Sequence, residues 1–343
     1  GSGRTLFERD SRRRFLPASL TKIMTAYVAF EMIAHGTLQP NQRFAMSDAA
    51  FDEWHRVGST MFIGRGQQVS VDELLNGIMT VSGNDGCIVL AEGAAGSVPR
   101  FVALMNAEAR RLGMRDSHFG SPNGWPDEGA TYTSARDLGV LTKAMLTRHP
   151  ALYRHYVGHA EMTFNGIRQS NHVPLIGKVR GADGVKTGFT NESGYGVVGS
   201  AVRNGRRLVV IVAGYDRAWL RARESRDLLE WGFNAWEARR LFAKGATIGE
   251  ARVQQGAARH VPLVAPMPYF LTLARGERPA YRLAMRYDGP LRAPIAQGAQ
   301  VGELVVTMDG RAPYRLPLVA ARGVGRAGPW ARLRNGLLGL IGL

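Results

Sequence analysis

The chain has 343 residues, of which 45% are hydrophobic, and it carries a formal net charge of +16. This length predicts about two globular domains. No nucleic-acid-binding signature accompanies the positive charge, so we expect no nucleic-acid partner. The single cysteine, Cys87, excludes an intramolecular disulfide.

The first part of the chain is predicted to be mostly helical, after a short strand at residues 5–7. Apolar periodicity predicts helices over residues 20–34, 71–81, 87–92, 98–112 and 134–147. Four residues of the fourth helix are predicted to face the core, namely Phe101, Leu104, Met105 and Leu112. Ser134 is predicted to cap the fifth helix, with Asp137 at the third helical position.

The pattern changes after residue 181. Antiparallel strands are predicted over residues 184–190, 194–202 and 207–214. Residues 225–242 are predicted to form a helix that packs on this sheet. The fold class is therefore α/β (α+β), an antiparallel sheet flanked by helices and followed by a small all-β domain. These elements divide the chain into residues 1–246, the β-rich residues 247–325 and an amphipathic C-terminal helix, residues 326–343.

Ser19 and Lys22 form a Ser-x-x-Lys pair at the start of the first predicted helix. A spacing of three residues places both side chains on one helix face. Taken alone, the pattern more often means a capping serine and a surface lysine. Only five of the 44 basic residues are lysines, yet two of the five, Lys22 and Lys186, lie in motifs. Because a desolvated lysine can lose its proton and arginine cannot, Lys22 is the candidate base for Ser19.

A second motif, Ser82-Gly83-Asn84, lies between two predicted helices. There Ser82 would relay a proton between Lys22 and a leaving amine, and Asn84 would hold a substrate amide carbonyl. Alone, this motif would be interpreted as a polar turn. Its position after the first motif and before a third one favours a functional role.

The third motif, Lys186-Thr187-Gly188, lies in a predicted strand. Gly188 allows close approach of a substrate backbone, and Thr187 can bind a carboxylate. If this is an edge strand, it can also pair with an extended peptide. Lys186 would be the second cation that lowers the pKa of Lys22. The three motifs together predict a serine acyl-transfer site.

The motifs resemble those of the serine-type D-alanyl-D-alanine carboxypeptidases, the low-molecular-mass penicillin-binding proteins related to β-lactamases. The resemblance covers most of the chain. It includes the segments PASLTKIMTAYVAFE, SGNDGC, NGWPDEG, SARDL, DGVKTGFTNESGYG and RESRDLLEWGF. In the middle motif, Gly83 stands where the superfamily pattern has Asp.

This resemblance implies a transpeptidase-like domain whose site lies between a sheet and a helical subdomain. The backbone amides of Ser19 and Phe189 would form an oxyanion hole. Arg221 would join Thr187 in binding the terminal carboxylate of the substrate, with the neighbouring Arg223 as an alternative.

The implied reaction removes the terminal D-alanine from a peptidoglycan stem pentapeptide. Ser19 would attack the carbonyl between two D-alanines, and water would then hydrolyse the acyl-enzyme. Penicillins would mimic the dipeptide and acylate Ser19. We expect neither a metal nor an organic cofactor, since the eight histidines are scattered and lack a His-Glu-x-x-His pattern. Cys87 matches a family cysteine near the cleft, although a small buried apolar residue is the simpler interpretation.

The C-terminal segment PWARLRNGLLGLIGL predicts attachment to a membrane surface. At about 1.5 Å per residue a helix of this length is too short to span a bilayer, but it can lie in the interface. The 13 Arg against four acidic residues after residue 250 favour an anionic membrane surface or cell-wall polymer. The N-terminus has no apolar signal core. With the family, these features imply a mature chain that is peripheral on the periplasmic face of a bacterial inner membrane.

Three alternatives remain open on the sequence alone. A β-lactamase needs a deacylating Glu, and residues 161–165 read as Glu-x-x-x-Asn, but they directly precede the third motif, and Asn165-Gly166 is typical of a hairpin turn. An endopeptidase that cuts peptide cross-links would use the same motifs. A non-catalytic peptidoglycan-binding protein would be expected to lose Ser19 or Lys22, and both are present.

Overall fold

The computed structural model describes residues 3–328. The predicted C-terminal helix, residues 326–343, falls almost entirely outside this range. The described chain divides into two compact units, one over Thr5–Phe233 and one over residues 3–4 and 234–328.

Helices make up most of the first unit before residue 157. A 3-10 turn over Ala18–Thr21 leads into α1. The helices are α1 (Lys22–Ala34), α2 (Asp48–Trp54), α3 (Val71–Thr80), α4 (Asn84–Ala95), α5 (Val98–Leu112), α6 (Ala135–Arg148), α7 (Pro150–Tyr156) and α8 (Ala218–Ala235). These bounds confirm the predicted helices to within a few residues, except for the helix predicted over residues 225–242.

Local capping explains where several helices begin. Ser70 and Glu73 form a reciprocal capping box at the start of α3. Ser134 Oγ accepts from the Asp137 amide at 3.2 Å, which confirms the predicted cap of α6. The Asp137 carboxylate does not complete a reciprocal box, because it accepts from Asp116 N at 2.7 Å instead.

A three-stranded antiparallel sheet with the order β7-β8-β9 follows these helices. The strands of this unit are β1 (Arg14–Phe15), β2 (Arg43–Ala45), β3 (Gln68–Ser70), β4 (Thr133–Ser134), β5 (Glu161–Phe164), β6 (Ile167–Ser170), β7 (Ala182–Thr190), β8 (Gly194–Arg203) and β9 (Arg206–Tyr215). The third sequence motif lies in β7, which is an edge strand among the described residues. The main core surrounds α1, whose residues 22–31 are all buried.

Three predicted features are wrong. Residues 5–7 do not form a strand. Leu104 is 41% exposed, so the buried face of α5 is narrower than predicted. The helix predicted over residues 225–242 ends at Ala235, and Trp236–Phe242 is a strand, because its backbone pairs with Tyr269–Ala274.

The second unit is built from strands, as predicted. They are β10 (Trp236–Phe242), β11 (Thr247–Gln254), β12 (His260–Val264), β13 (Tyr269–Ala274), β14 (Tyr281–Arg286), β15 (Leu291–Arg292), β16 (Gln300–Met308) and β17 (Tyr314–Ala320). Strands β10 and β13 pair with each other, and the other six form a sheet with the order β14-β16-β17-β12-β11-β15. This unit has its own apolar core, which includes Leu263, Leu271 and Val306. Because β10 belongs to this unit, the structural division falls before the predicted boundary at residue 246.

Within residues 3–328, no single helix has the length and apolar character of a membrane span. Helices α4 and α5 have the length and apolar character of a span only when they are taken together, and the pair is bent by 88°.

Candidate active site

Ser19 and Lys22 are in direct contact at the start of α1. Ser19 lies in the 3-10 turn, which is closed by a hydrogen bond from Leu20 N to Pro17 O at 3.1 Å. Lys22 is the first residue of α1 and is completely buried. Its Nζ atom lies 2.7 Å from Ser19 Oγ. The predicted spacing of three residues therefore brings the amine and the hydroxyl together.

Lys22 Nζ also reaches the second motif. It lies 3.1 Å from Ser82 Oγ and 2.6 Å from Asn84 Oδ1. Asn84 Nδ2 donates to Val57 O at 3.0 Å, which identifies the amide oxygen as the atom that faces Lys22. Three predicted polar side chains thus converge on one buried amine.

The backbone between α3 and α4 aims the Ser82 hydroxyl at this amine. Ser82 has a φ of +64°, a left-handed conformation that is unfavourable for residues other than glycine. Its neighbours hold it in place, since Gly83 N donates to Gly77 O at 3.3 Å and Asn84 N donates to Ser59 O at 2.8 Å. Strain of this kind is common at functional sites.

Strand β7 packs against the turn that carries Ser19. Lys186 and Thr187 are buried, and Lys186 Nζ donates to the Thr187 carbonyl at 3.1 Å. A Cβ atom on Gly188 would lie 2.5 Å from Pro17 O and 3.1 Å from Leu20 N. Gly188 is therefore required for this close approach of the strand and the turn. Its contact with a substrate backbone stays a prediction.

Phe189 follows Gly188 at the same junction. Its ring is 47% exposed and stacks on Tyr195 with the ring centroids 4.1 Å apart. The backbone amides of Ser19 and Phe189 thus belong to the two segments that meet at Gly188. This placement suits the oxyanion hole that the family resemblance implies.

Burial shifts the pKa values of both lysines. It lowers the pKa of Lys22 to about 8, although the nearby Cys87 and Asp85 act in the opposite direction. It also holds the pKa of Lys186 well below its usual range, and the charge of Lys22 lowers it further. Burial, and not the predicted charge of Lys186, accounts for the lowered pKa of Lys22. With a pKa of about 8, the neutral Lys22 amine is accessible near physiological pH.

Arg221 and Arg223 have different surroundings. Arg221 is 9% exposed and lies over the Tyr195 ring, 5.6 Å from its centroid. Its Nε atom has no hydrogen-bond partner among the described residues, and burial lowers its pKa. Arg223 is more exposed, forms an ion pair with Glu224 and lies over the Trp219 ring. Of the two arginines, Arg221 is therefore the one that is buried and forms no ion pair among the described residues.

Asp85 supports the site, although no role was predicted for it. It is completely buried, and its carboxylate accepts hydrogen bonds from Thr60 Oγ1 at 2.6 Å, Met61 N at 2.9 Å and Ile63 N at 3.1 Å. These contacts tie the start of α4 to residues 60–63. The adjacent residues Val57 and Ser59 accept hydrogen bonds from Asn84. The partners lie more than 20 positions away in the sequence, so no local pattern could have revealed them.

His172 lies beside the cleft and was also missed. Desolvation lowers its pKa, and the positive charges of Lys186, Lys22 and Arg221 lower it further. A single histidine between Asn171 and Val173 carries no recognisable motif. The neutral imidazole is therefore the favoured form next to these cations.

Two other sequence expectations concern the surroundings of the site. Burial raises the pKa of Cys87 to about 12, as expected for a thiol that serves as a small buried residue. Glu161 pairs with Arg168 across the hairpin of β5 and β6, as the turn at Asn165-Gly166 predicted. Within residues 3–328, no group of three or more His, Cys, Asp or Glu could hold a metal ion.

The fold and this geometry are typical of a serine acyl-transfer enzyme, with a buried lysine amine in contact with the serine hydroxyl. Residues 1–217 match the family of D-alanyl-D-alanine carboxypeptidases (peptidase S11), and residues 236–326 match the C-terminal domain of penicillin-binding protein 5. The chain therefore belongs to the D-alanyl-D-alanine carboxypeptidase family.

Individual relatives agree with this assignment. The chain is 34% identical to the D-alanyl-D-alanine carboxypeptidase DacA of Haemophilus influenzae, over 98% of this chain and 86% of the relative. The structure of penicillin-binding protein 5 from the same organism has a TM-score of 0.80, with 34% identity and 95% of each chain covered. The ampicillin-bound penicillin-binding protein D2 of Listeria monocytogenes has a TM-score of 0.58 and 28% identity, over 67% of this chain and 92% of that one.

Proposed function

We propose that this protein is a serine D-alanyl-D-alanine carboxypeptidase that removes the terminal D-alanine from peptidoglycan stem pentapeptides through an acyl-enzyme on Ser19. One observation carries the proposal. The buried Lys22 amine touches Ser19 Oγ, Ser82 Oγ and Asn84 Oδ1 at 2.7, 3.1 and 2.6 Å. Family membership and the names of the relatives support the substrate class.

The hydrogen-bond inventory of Lys22 supports its role as the base. A neutral amine has two hydrogens and one lone pair. The Asn84 oxygen can only accept, so it takes one hydrogen, and Ser82 Oγ can take the other. The lone pair then faces Ser19 Oγ, from which it accepts the proton as the hydroxyl attacks.

The cations of the cleft support recognition of a terminal carboxylate. Lys186 and Arg221 are buried, and neither forms an ion pair with a carboxylate among residues 3–328. Buried cations without partners are unfavourable unless a ligand neutralises them. A peptide carboxylate held by Arg221 and Thr187 would supply that charge.

The reaction proceeds in two stages. Ser19 Oγ bonds to the carbonyl carbon between the two D-alanines while Lys22 takes its proton, and the oxyanion is held by the amides of Ser19 and Phe189. Ser82 then relays a proton from Lys22 to the leaving nitrogen, the C–N bond breaks and D-alanine departs. Water next attacks the ester and restores the Ser19 hydroxyl. Penicillins would form a comparable ester with Ser19.

Labelled penicillin tests the nucleophile. We expect the label to attach to the wild type and to Ser170→Ala, a variant at an exposed serine, but not to Ser19→Ala. Acylation of Ser19→Ala would contradict the assignment, and a wild type that is never acylated would favour a non-catalytic binding protein.

Product analysis separates the remaining activities. We expect release of D-alanine from a stem pentapeptide. Faster cleavage of a cross-linked dimer would identify an endopeptidase instead. Rapid turnover of penicillin, with no peptide hydrolysis, would identify a β-lactamase.

We further propose that the protein is peripheral on the periplasmic face of a bacterial inner membrane, attached through residues 326–343. The support is the sequence of this segment, in which apolar residues including Leu337 recur at helical spacing beside arginines. Co-sedimentation with anionic phospholipid vesicles tests it. We expect Leu337→Glu to bind less than the matched Asn335→Glu, whereas equal binding of both would contradict the proposal.

A further inference from the structure

The loop over residues 121–125 crosses the turn that carries Ser19. Pro122 O accepts from Thr25 Oγ1 at 2.5 Å, which anchors the loop to α1. A Cβ on Gly124 would clash with Ala18 O and would lie 2.7 Å from Thr21 Oγ1. The backbone of this loop therefore rests directly on the nucleophile turn.

Trp125 extends from this loop to the second motif. A Cβ on Gly58 would lie 2.8 Å from the Trp125 ring and 2.8 Å from Asn84 Nδ2. Because both groups lie against the same point, the indole packs beside the Asn84 amide. Trp125 thus runs from the Ser19 turn to Asn84, along one rim of the cleft.

The indole is both fixed and available. It packs edge-to-face against Trp54, with ring centroids 5.7 Å apart and an interplanar angle of 88°. Trp125 N donates to Asn123 Oδ1 at 3.0 Å, which holds the backbone of the loop. Trp54 is 8% exposed, whereas Trp125 is 42% exposed. The ring therefore presents a rigid apolar surface to solvent at the cleft.

The cations and the apolar ring of the site lie on different elements. Strand β7 carries Lys186 and helix α8 carries Arg221, which suit the terminal carboxylate of the departing residue. Trp125 lies beside Asn84, at the start of α4. We expect a peptide whose carboxylate end is bound by the cations to extend its acyl-donor part towards Trp125.

We propose that Trp125 is a specificity-determining residue that binds the apolar part of the acyl donor, the long aliphatic side chain of the residue before the terminal dipeptide. This inference rests on the proposed function and adds to it the preferred chemistry of the donor. A rigid indole gains contact area with such a chain at little entropic cost.

The selectivity between two peptides tests this role. Diacetyl-L-lysyl-D-alanyl-D-alanine has the long apolar donor, and acetyl-glycyl-D-alanyl-D-alanine lacks it. We expect Trp125→Ala to lower the ratio of their kcat/KM values by roughly 10- to 100-fold, the range that apolar contacts of this size provide. Trp125→Phe should retain part of the ratio, and Trp219→Ala, which removes another exposed indole, should leave it unchanged.

β-Lactams provide a second readout that needs no peptide turnover. Benzylpenicillin has an aromatic acyl group, and 6-aminopenicillanic acid has none. We expect Trp125→Ala to slow acylation by benzylpenicillin more than acylation by 6-aminopenicillanic acid. We also expect benzylpenicillin to change the tryptophan fluorescence of the wild type but not of Trp125→Phe.

The outcomes separate this inference from the proposed function. If Trp125→Ala lowers the rates for long and short donors equally, the residue only positions Asn84 and the inference is overturned. If the wild type is active and every ratio stays the same in the variant, the inference is likewise overturned. If the wild type neither hydrolyses the peptides nor is acylated by either β-lactam, the proposed function itself fails.

Discussion

The two ends of α1 both bury charge, but they treat it in opposite ways. At the first residue, Lys22 has only neutral polar contacts. Nine positions later, the Glu31 carboxylate accepts from Tyr27 Oη at 2.6 Å and from Arg148 Nε at 2.9 Å, and it lies 2.8 Å from His149 Nε2. Charged partners within the fold compensate the buried charge of Glu31, whereas Lys22 has no ion-pair partner among residues 3–328.

This difference distinguishes scaffold from site. Burial disfavours the ionised form of Glu31, but the hydrogen bonds from Tyr27, His149 and Arg148 outweigh it and lower its pKa to about 2. For Lys22 the opposing effects of Cys87 and Asp85 are weaker than burial, and its pKa falls to about 8. A buried ionisable group whose pKa is shifted towards neutrality therefore indicates a catalytic site better than burial alone does.

The largest expected effect comes from removing the amine of the Lys22 end. We expect Lys22→Met to slow acylation of Ser19 by roughly 10³-fold, since it deletes the general base. The free energy of unfolding should not fall, because the substitution removes a buried cation that lacks a charged partner. Penicillin acylation rates and chemical denaturation measure the two quantities. Lys178→Met, at an exposed lysine, is the control, and a strongly destabilised Lys22→Met with normal acylation would reverse the comparison.

The converse change at the other end is expected to affect stability and not chemistry. Glu31→Gln should lower the free energy of unfolding by about 1 to 3 kcal/mol, because it weakens the charged hydrogen bonds of a buried carboxylate whose partners Arg111 and Arg148 are partly exposed. Glu161→Gln, which breaks the exposed pair with Arg168, should cost no more than about 1 kcal/mol. Because the folded-state pKa of Glu31 is depressed, the difference is complete above pH 4.5 and disappears as pH falls towards 2. Equal unfolding curves at pH 7 would show that the Glu31 cluster is not a scaffold.

Arg221 sharpens the comparison, because it is another buried charge without a carboxylate partner in the described part of the chain. We expect Arg221→Gln to lower kcat/KM for peptides with a free terminal carboxylate by roughly 10- to 100-fold, the loss of a charge-assisted hydrogen bond. A peptide with a C-terminal amide should lose less. Arg223→Gln is the matched control in the same helix. If the two arginine variants behave alike, the carboxylate is not bound by Arg221.

The acylation rate of the wild type should also depend on pH. Because the neutral form of Lys22 is the base, the acylation rate should rise about tenfold per pH unit below the pKa of about 8 and level off above it. Stopped-flow acylation between pH 5 and 10 measures this profile. A rate that is flat from pH 6 to 9 would mean that Lys22 does not titrate in the acylation step.

The sequence predicted the parts of this site that depend on local spacing. Three residues between Ser19 and Lys22 suffice to bring their side chains together, and the pattern around Ser134 locates a helix start. The predictions failed where distant partners decide the structure. The local sequence of Trp236–Phe242 predicts the end of a helix, yet this segment forms a strand because it pairs with Tyr269–Ala274.

The same reason explains the residues that were missed. Asp85 follows a recognised motif, but its hydrogen-bond partners at Thr60 and Ile63 come from another part of the chain. The role of Trp125 depends on Gly58 and Asn84, which approach it only after folding. Side chains that define the rim of the cleft therefore have to be taken from the structure.

The close approach at Gly188 constrains how this cleft can change over evolution. Any side chain at residue 188 would push strand β7 away from Pro17 and Leu20. It would thereby move Lys186 and Thr187 away from Ser19. Substitutions that change the cleft without displacing this strand are therefore expected at neighbouring positions. Phe189 is one of them, because it is 47% exposed.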